Sequence, residues 1–124
     1  MRDNAATPEV CSPASFLSYL LFLRGFDLFG FENHAGRTTL GPGAAPLATV
    51  PPGRGNNGRD GTEGAVQGRV IGSYLHGPVL PVNPALADAI LSMALSDRLP
   101  DGGLRPLDDR LEDAAHAAAA NRPR

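Results

Sequence analysis

The chain has 124 residues, of which 42% are hydrophobic and 19% charged, and its formal net charge is −2. That length allows one small domain with a modest core and is too short for two domains. All 11 basic residues are arginines that do not form a block, so the charge pattern excludes a surface built for a nucleic-acid backbone.

The N-terminal stretch, residues 1–24, is expected to be disordered or atypical of the remainder. Residues 1–15 are polar, aperiodic and rich in Ala, Ser and Pro. The apolar run 16–23 is too short to span a bilayer, and it lacks both a cationic leader and a small-residue cleavage site. It is interpreted as neither a membrane span nor a signal peptide.

The single cysteine, Cys11, lies in this stretch. One cysteine cannot form an internal disulfide, and with only three histidines the chain has no Cys/His cluster of zinc-site spacing. We therefore expect a cytoplasmic protein that needs no metal.

An aromatic strand is predicted just after residue 25. Its apolar positions are Phe26, Leu28, Phe29 and Phe31, and it ends at the polar, turn-forming residues 32–38. Glycine and proline clusters then interrupt the chain between residues 40 and 63, which predicts a long surface loop.

A β-hairpin is predicted next, because β-favouring runs at 64–66 and 69–75 flank the turn-like pair Gln67-Gly68. The second strand of this hairpin is expected to end at His76. A polar group at the end of a strand is both rigidly aimed and accessible.

Two helices are predicted near the C-terminus. Asn83 is a suitable N-cap with Pro84 at the first helical position, and apolar spacing continues to about Leu95. An Ala-rich helix is expected from Asp108 or Asp109 through Ala120, followed by the tail 121–124. His116, on that helix, is interpreted as an ordinary surface residue.

Three sequence blocks carry a family resemblance: GFENHAGRT at 30–38, GNNGRDGTEG at 55–64 and IGSYLHGPVLP at 71–81. In this order they resemble the C-terminal half of the amidotransferase subunits of bacterial lipid II isoglutaminyl synthases, within the cobyric-acid-synthase-like class I glutamine amidotransferases. The resemblance covers about residues 25–120. It implies the C-terminal part of an α/β, flavodoxin-like glutamine amidotransferase domain.

His76 matches the catalytic histidine of that family, which lies in a Gly-[Ser/Thr]-Tyr-Leu-His-Gly motif at the end of a late strand. The chemistry requires it, because an imidazole beside a cysteine stabilises the attacking thiolate and protonates the departing ammonia. Many related enzymes orient this histidine with a Glu two residues later, where this chain has Pro78. The orienting group must therefore come from elsewhere or be absent, and Glu63 is one candidate.

The nucleophile of the family lies in a Cys-Gly-Gly elbow upstream of the aromatic strand. Cys11 is followed by Ser12-Pro13 and has no glycine beside it, so it does not match that elbow. We expect no nucleophile in this chain, which looks like a truncated or mis-started gene product and should be inactive alone.

Glu32, Asn33, His34 and Arg37 form the polar part of the first block. By resemblance they line the glutamine site or face the partner subunit. Alternatively, they form a solvated turn in which the Asn and His side chains satisfy local backbone groups. The sequence leaves both interpretations open.

The resemblance implies that the intact protein hydrolyses glutamine to glutamate and ammonia. The ammonia would serve a Mur-ligase-like subunit in a heterodimer, which amidates the α-carboxylate of D-Glu in lipid II during peptidoglycan synthesis. The glutaminase chain needs no cofactor, because ATP and Mg²⁺ belong to the partner. Two alternatives are a fragment of a cobyrinic or cobyric acid synthase, and a non-catalytic remnant that only binds the ligase partner.

Overall fold

The computed structural model describes residues 25–99 and 103–122. The predictions for residues 1–24, including Cys11, lie outside the described residues. Within these described residues, six short strands are followed by three helices. The strands are β1 Phe31–Glu32, β2 Ala48–Thr49, β3 Thr62–Glu63, β4 Ala65–Gln67, β5 Val70–Gly72 and β6 Leu75–His76; the helices are α1 Val79–Val82, α2 Pro84–Ala94 and α3 Arg110–Ala120.

The strands form three two-stranded sheets, which pair β1 with β6, β2 with β3 and β4 with β5. Every pair within the described part of the chain is antiparallel. Mixed helices and small sheets agree with an α/β domain, and the parallel sheet of a flavodoxin-like fold stays a prediction. Among the helices that the structure describes, none is both long and apolar enough to cross a bilayer.

The predicted hairpin is present as β4 and β5, with Val66 opposite Ile71 and Gln67 opposite Val70. Its two-residue link is Gly68-Arg69, one residue later than expected, and Gly68 has the positive φ of 56° that such a tight turn requires. The second strand ends at Gly72. The expectation that it continues to His76 was wrong, because the backbone leaves the hairpin and begins a new strand, β6.

The aromatic strand is shorter than predicted. Only Phe31 and Glu32 form a ladder, opposite His76 and Leu75 respectively. The backbone of Phe29 is bonded instead by the side chain of Asn83, which accepts from Phe29 N at 2.8 Å and donates to Phe29 O at 2.7 Å. Asn83 therefore precedes α2 without capping it by its side chain, a correction to the predicted N-cap.

The stretch 40–63 is not simply the surface loop that its glycines and prolines predicted. It contains β2 and β3, and it buries Leu47 and Asn56. The bonds from Leu47 N to Glu63 O and from Val50 N to Gly61 O hold its two halves together. Polar backbone in a loop can be buried when it is paired in this way.

The core lies between the hairpin side of the molecule and α2. Leu47 and Val66 pack with Leu86 and Ala89 of α2. Helix α2 ends at Ala94 and α3 runs from Arg110 to Ala120, so both predicted helices are confirmed.

The interpretation of His116 as an ordinary surface residue was wrong. Its Nδ1 donates to Val82 O at 2.7 Å, and its ring meets Phe29 edge-on at 4.7 Å. These contacts hold α3 against the end of α1.

We predict that Gly55→Ala destabilises the fold by roughly 1–3 kcal/mol. Gly55 has a φ of +78°, and a Cβ there would lie 2.1 Å from Thr62 O and 2.6 Å from Val50 Cγ2. Gly41→Ala is the matched control, because nothing lies within 4 Å of its Cβ position. Urea unfolding midpoints test the difference, and equal midpoints for the two variants would contradict the close packing at Gly55.

Candidate active site around His76

His76 is exposed at the end of β6, and its ring stacks on Phe31. The two ring centroids are 5.5 Å apart with 23° between the planes, and the two residues are also partners in the β1–β6 ladder. Stacking on a neighbouring ring favours one orientation of an otherwise exposed side chain. An accessible imidazole with one covered face is suited to proton transfer with a group brought from outside the described residues.

The residues just before His76 are fixed by Glu63, which is completely buried. Glu63 Oε1 accepts from Ser73 Oγ at 2.7 Å and from Tyr74 N at 2.8 Å, and Ser73 Oγ accepts from Leu75 N at 3.0 Å. No hydrogen bond between the described atoms joins the Glu63 carboxylate to the His76 ring. Direct orientation of His76 by Glu63 is therefore not what the geometry supports.

Glu32 bonds to the second motif block. Its Oε1 accepts from Gly55 N at 2.9 Å, and its Oε2 lies 3.8 Å from His34 Nε2. The Glu32 and His34 side chains are 18% and 16% exposed. A partly buried carboxylate that accepts a backbone N–H stabilises the loop carrying that N–H.

His34 is held by a local bond and by a stacked ring. Nδ1 donates to Gly36 O at 2.9 Å, and the imidazole lies parallel to the Tyr74 ring at 3.6 Å with 5° between planes. The Tyr74 hydroxyl in turn bonds to Thr38 Oγ1 at 2.8 Å. The first block and the histidine-bearing third block are thus joined by side chains as well as by the β1–β6 ladder.

Arg37 and Thr38 connect the first block to the second. Arg37 Nη1 donates to Asn57 O at 2.6 Å, Thr38 N donates to Asn56 O at 2.7 Å, and Asn57 Nδ2 donates to Thr38 O at 3.0 Å. Asn33 is exposed. The structure therefore places Glu32 at the end of β1 and Asn33, His34 and Arg37 on the segment that follows, with Asn33 and Arg37 toward solvent and Glu32 and His34 more enclosed.

Asp60 orders the tip of the second block. Its Oδ1 accepts from the hydroxyl and the backbone N–H of Thr62, and its Oδ2 accepts from Asn57 Nδ2. The Thr62 hydroxyl, the Thr62 N–H and then Asn57 lower the pKa of Asp60 below its ordinary value. The loop is ordered by its own side chains.

These contacts bear on the turn interpretation of the first block. His34 does satisfy a local backbone group, yet the turn is also packed against residues 55–64 and Tyr74, which was not predicted. The sequence signal for an ordered, packed loop was the presence of Gly55 and Gly64. In the structure each has a positive φ and a crowded Cβ position. Whether Glu32, Asn33, His34 and Arg37 bind glutamine or face a partner stays a prediction.

A second concave feature lies away from His76. It is a cavity of about 320 Å³, bounded by residues 26–28, the start of α2 and one face of α3. Its acidic lining comprises Asp27, Asp88, Asp109 and Asp113. Desolvation, and then the charge of Asp109, raise the pKa of Asp88 above its ordinary value. Within residues 25–99 and 103–122, no group of three or more His, Cys, Asp or Glu side chains could hold a metal ion.

A family model of the CobB/CobQ-like glutamine amidotransferase domain matches residues 9–84. The match begins within the stretch 1–24, covers more than half of the chain and includes all three motif blocks. The chain therefore belongs to the CobB/CobQ-like glutamine amidotransferase family, which confirms the resemblance seen in the sequence.

Curated proteins match shorter segments. The lipid II isoglutaminyl synthase (glutamine-hydrolyzing) subunit GatD of Streptococcus pneumoniae is 44% identical over 70 residues, which are 56% of this chain and 27% of that protein. The GatD subunit of Staphylococcus aureus is 45% identical over 67 residues, covering 54% of this chain and 27% of that protein. A probable cobyric acid synthase of Methanothermobacter thermautotrophicus is 46% identical over 55 residues, covering 44% of this chain and 11% of that protein.

The chain thus spans about a quarter of the length of the two GatD subunits that it matches. No solved structure matches the chain.

We predict that the hydroxyl pair of Tyr74 and Thr38 has a coupling free energy of about 0.5–1.5 kcal/mol. The pair joins two motif blocks at 2.8 Å, so Tyr74→Phe and Thr38→Val should be less costly together than the sum of the two single changes. A double-mutant cycle on the free energy of unfolding measures this. Thr39→Val is the matched control, because Thr39 is exposed, and its cycle with Tyr74→Phe should show no coupling.

We also predict that Asp88→Asn raises the melting temperature at about pH 7. Because the folded-state pKa of Asp88 is raised, ionisation of this carboxyl opposes folding above that pKa, and the penalty disappears as pH falls through it. Melting curves of both proteins should therefore converge in acid. A constant difference at all pH values would show that the side-chain amide, rather than loss of charge, stabilises the variant.

Proposed function

We propose that the chain is the histidine-bearing part of a glutaminase domain that hydrolyses glutamine to glutamate and ammonia. The observation that carries the proposal is the position of His76, exposed at a strand end and stacked on Phe31, within a Gly-Ser-Tyr-Leu-His-Gly motif. Family membership supports the same chemistry.

In the proposed reaction, His76 removes the proton from a cysteine thiol, and the thiolate attacks the carboxamide carbon of glutamine. The C–N bond breaks as the imidazolium returns its proton to the nitrogen, so ammonia leaves and a thioester remains. Water then hydrolyses the thioester, which releases glutamate and regenerates the thiol. Since Cys11 lacks the glycines of a nucleophile elbow, we propose that the nucleophile is not in this chain and that the chain alone is inactive.

We further propose that the ammonia amidates the α-carboxylate of D-Glu in lipid II, in peptidoglycan synthesis. The two subunits named for lipid II isoglutaminyl synthesis combine 44% and 45% identity with matches of 70 and 67 residues, whereas the cobyric acid synthases combine 46% identity with 55 residues or 39% identity with 74 residues. A Mur-ligase-like partner would bind ATP and Mg²⁺ and perform the amidation. Finding a Mur-ligase-like gene beside this one would support this role, whereas neighbouring cobalamin genes would favour the cobyrinic or cobyric acid alternative.

Within the first block, we assign the contacts to glutamine or to the partner subunit to the exposed residues. Asn33 and Arg37 are exposed and can reach a ligand, whereas the enclosed Glu32 and His34 hold the block in shape. A non-catalytic remnant that only binds the ligase partner would keep the same surface, so activity measurements must separate it from a working glutaminase.

The first experiment is to sequence the DNA upstream of the codon for Met1 and translate it in three frames. A Cys-Gly-Gly elbow in frame, or one frameshift away, supports a fragment of a working glutaminase. If no such elbow is found, the non-catalytic remnant becomes the preferred function.

We predict that His76→Ala in the elbow-containing protein lowers glutamate release by about 10²–10⁴-fold, the usual contribution of a general acid–base group. His116→Gln is the matched control, because His116 lies on α3 beside Val82 and Phe29. The 124-residue chain should release no glutamate. Glutamate release from this chain that survives Cys11→Ala but is lost in His76→Ala would contradict the proposal that the chain lacks a nucleophile.

A further inference from the structure

Glu63 is the one acidic side chain that the fold buries completely, among the residues that the structure describes. Burying a carboxylate is costly unless hydrogen bonds compensate for the lost water. Only Oε1 has partners here, since Oε2 has none among the described residues. A costly group in this position needs an explanation beyond packing.

The partners of Oε1 all belong to the segment that carries His76. Tyr74 N and Ser73 Oγ donate directly to Oε1, and Leu75 N donates to Ser73 Oγ. The three residues preceding His76 are therefore tied, one after another, to a single buried carboxylate oxygen. At the same place the backbone leaves the β4–β5 hairpin and enters β6, so these bonds replace the ladder that ended at Gly72.

The anchor at the other end is firm. Glu63 belongs to β3, where it pairs with Ala48, and its carbonyl accepts from Leu47 N at 3.0 Å. Leu47 belongs to the hydrophobic core. The adjacent Gly64 is so close to Gly72 that a Cβ on it would lie 2.6 Å from Gly72 O. The Glu63 side chain thus connects the hydrophobic core to the segment that leads into β6.

We infer that Glu63 is the positioning residue for His76, acting through Ser73, Tyr74 and the backbone of Leu75 rather than through the imidazole. The inference rests on the proposed function, in which the His76 ring must meet a thiol and a leaving nitrogen. Two residues after the histidine, where many related enzymes carry an orienting Glu, this chain has Pro78, and Glu63 acts instead on the backbone that carries the ring. Phe31, opposite His76 in the ladder, then selects the ring orientation.

The test uses the 124-residue chain labelled with ¹⁵N and ¹³C at histidine and phenylalanine. The readouts are the nuclear Overhauser contact between the Phe31 and His76 rings and the imidazole shifts of His76, measured against His116 in the same spectra. Spectra are recorded in solution, or by magic-angle spinning if the protein sediments, with dipolar contacts then replacing the Overhauser contact. No readout requires glutamine hydrolysis, so a failure of the proposed function is distinguishable from a failure of this inference.

Three variants should weaken the contact between the Phe31 and His76 rings to different degrees. Glu63→Ala should abolish the Phe31–His76 contact and move the His76 shifts, leaving those of His116 in place. Glu63→Gln keeps an acceptor oxygen at Oε1 and should restore the contact in part. Ser73→Ala changes an exposed residue, so it should fold, and it should weaken the contact by removing the link to Leu75.

Asn56→Ala is the matched control. Asn56 is also fully buried in the same loop, but its side chain bonds to Thr62 and Gly64, not to the histidine segment. It should leave the His76 readouts unchanged wherever the chain remains folded. The inference is overturned if Asn56→Ala releases His76 as much as Glu63→Gln, if Ser73→Ala and Glu63→Gln both leave His76 unmoved, or if the unsubstituted chain shows no Phe31–His76 contact.

Discussion

The other residues of the candidate site around His76 depend on the hydrogen bonds made by residues 55–64. This loop buries Asn56 and Glu63 completely, and each of them bonds to backbone that would otherwise lack a partner. An unpaired buried polar group costs about 1–3 kcal/mol, and a buried charge costs more. These bonds favour the observed arrangement of the loop, and the bonds of Glu63 join residues 73 and 74 to it.

The strands around His76 could not provide this order alone. The β1–β6 pair has two residues in each strand, and an isolated two-stranded ladder is marginally stable in water. Side-chain hydrogen bonds add stability to this ladder. They join Glu32 to Gly55, Thr38 to Tyr74, and the Glu63 carboxylate to residues 73 and 74. Precise placement of an exposed histidine thus depends on a buried polar loop more than on a sheet.

Local features of the sequence predicted the parts of the fold that local physics decides. Helix α2 follows from Pro84 at its start and from its apolar spacing, which includes the buried Leu86. The hairpin follows from its glycine link, with an error of one residue. Asn83 was misassigned because the choice between capping α2 and bonding the backbone of Phe29, 54 residues away, is made by tertiary structure. The burial of residues 55–64 was missed for the same reason, since a chain rich in Gly and Asn reads as solvent-exposed when its partners are distant in sequence.

The motif blocks also differ in what a match to them can support. Gly55, Gly64, Asn56 and Glu63 are explained by crowded backbone and buried hydrogen bonds, so relatives that share them share this loop whatever they bind. His76 and Asn33 are exposed, and nothing in the folding of the described residues requires an imidazole or an amide at those positions. A residue that folding does not require is the stronger indicator of chemistry. In the function proposed for the chain, the chemistry therefore rests mainly on His76, and the loop 55–64 bonds to the residues that precede it.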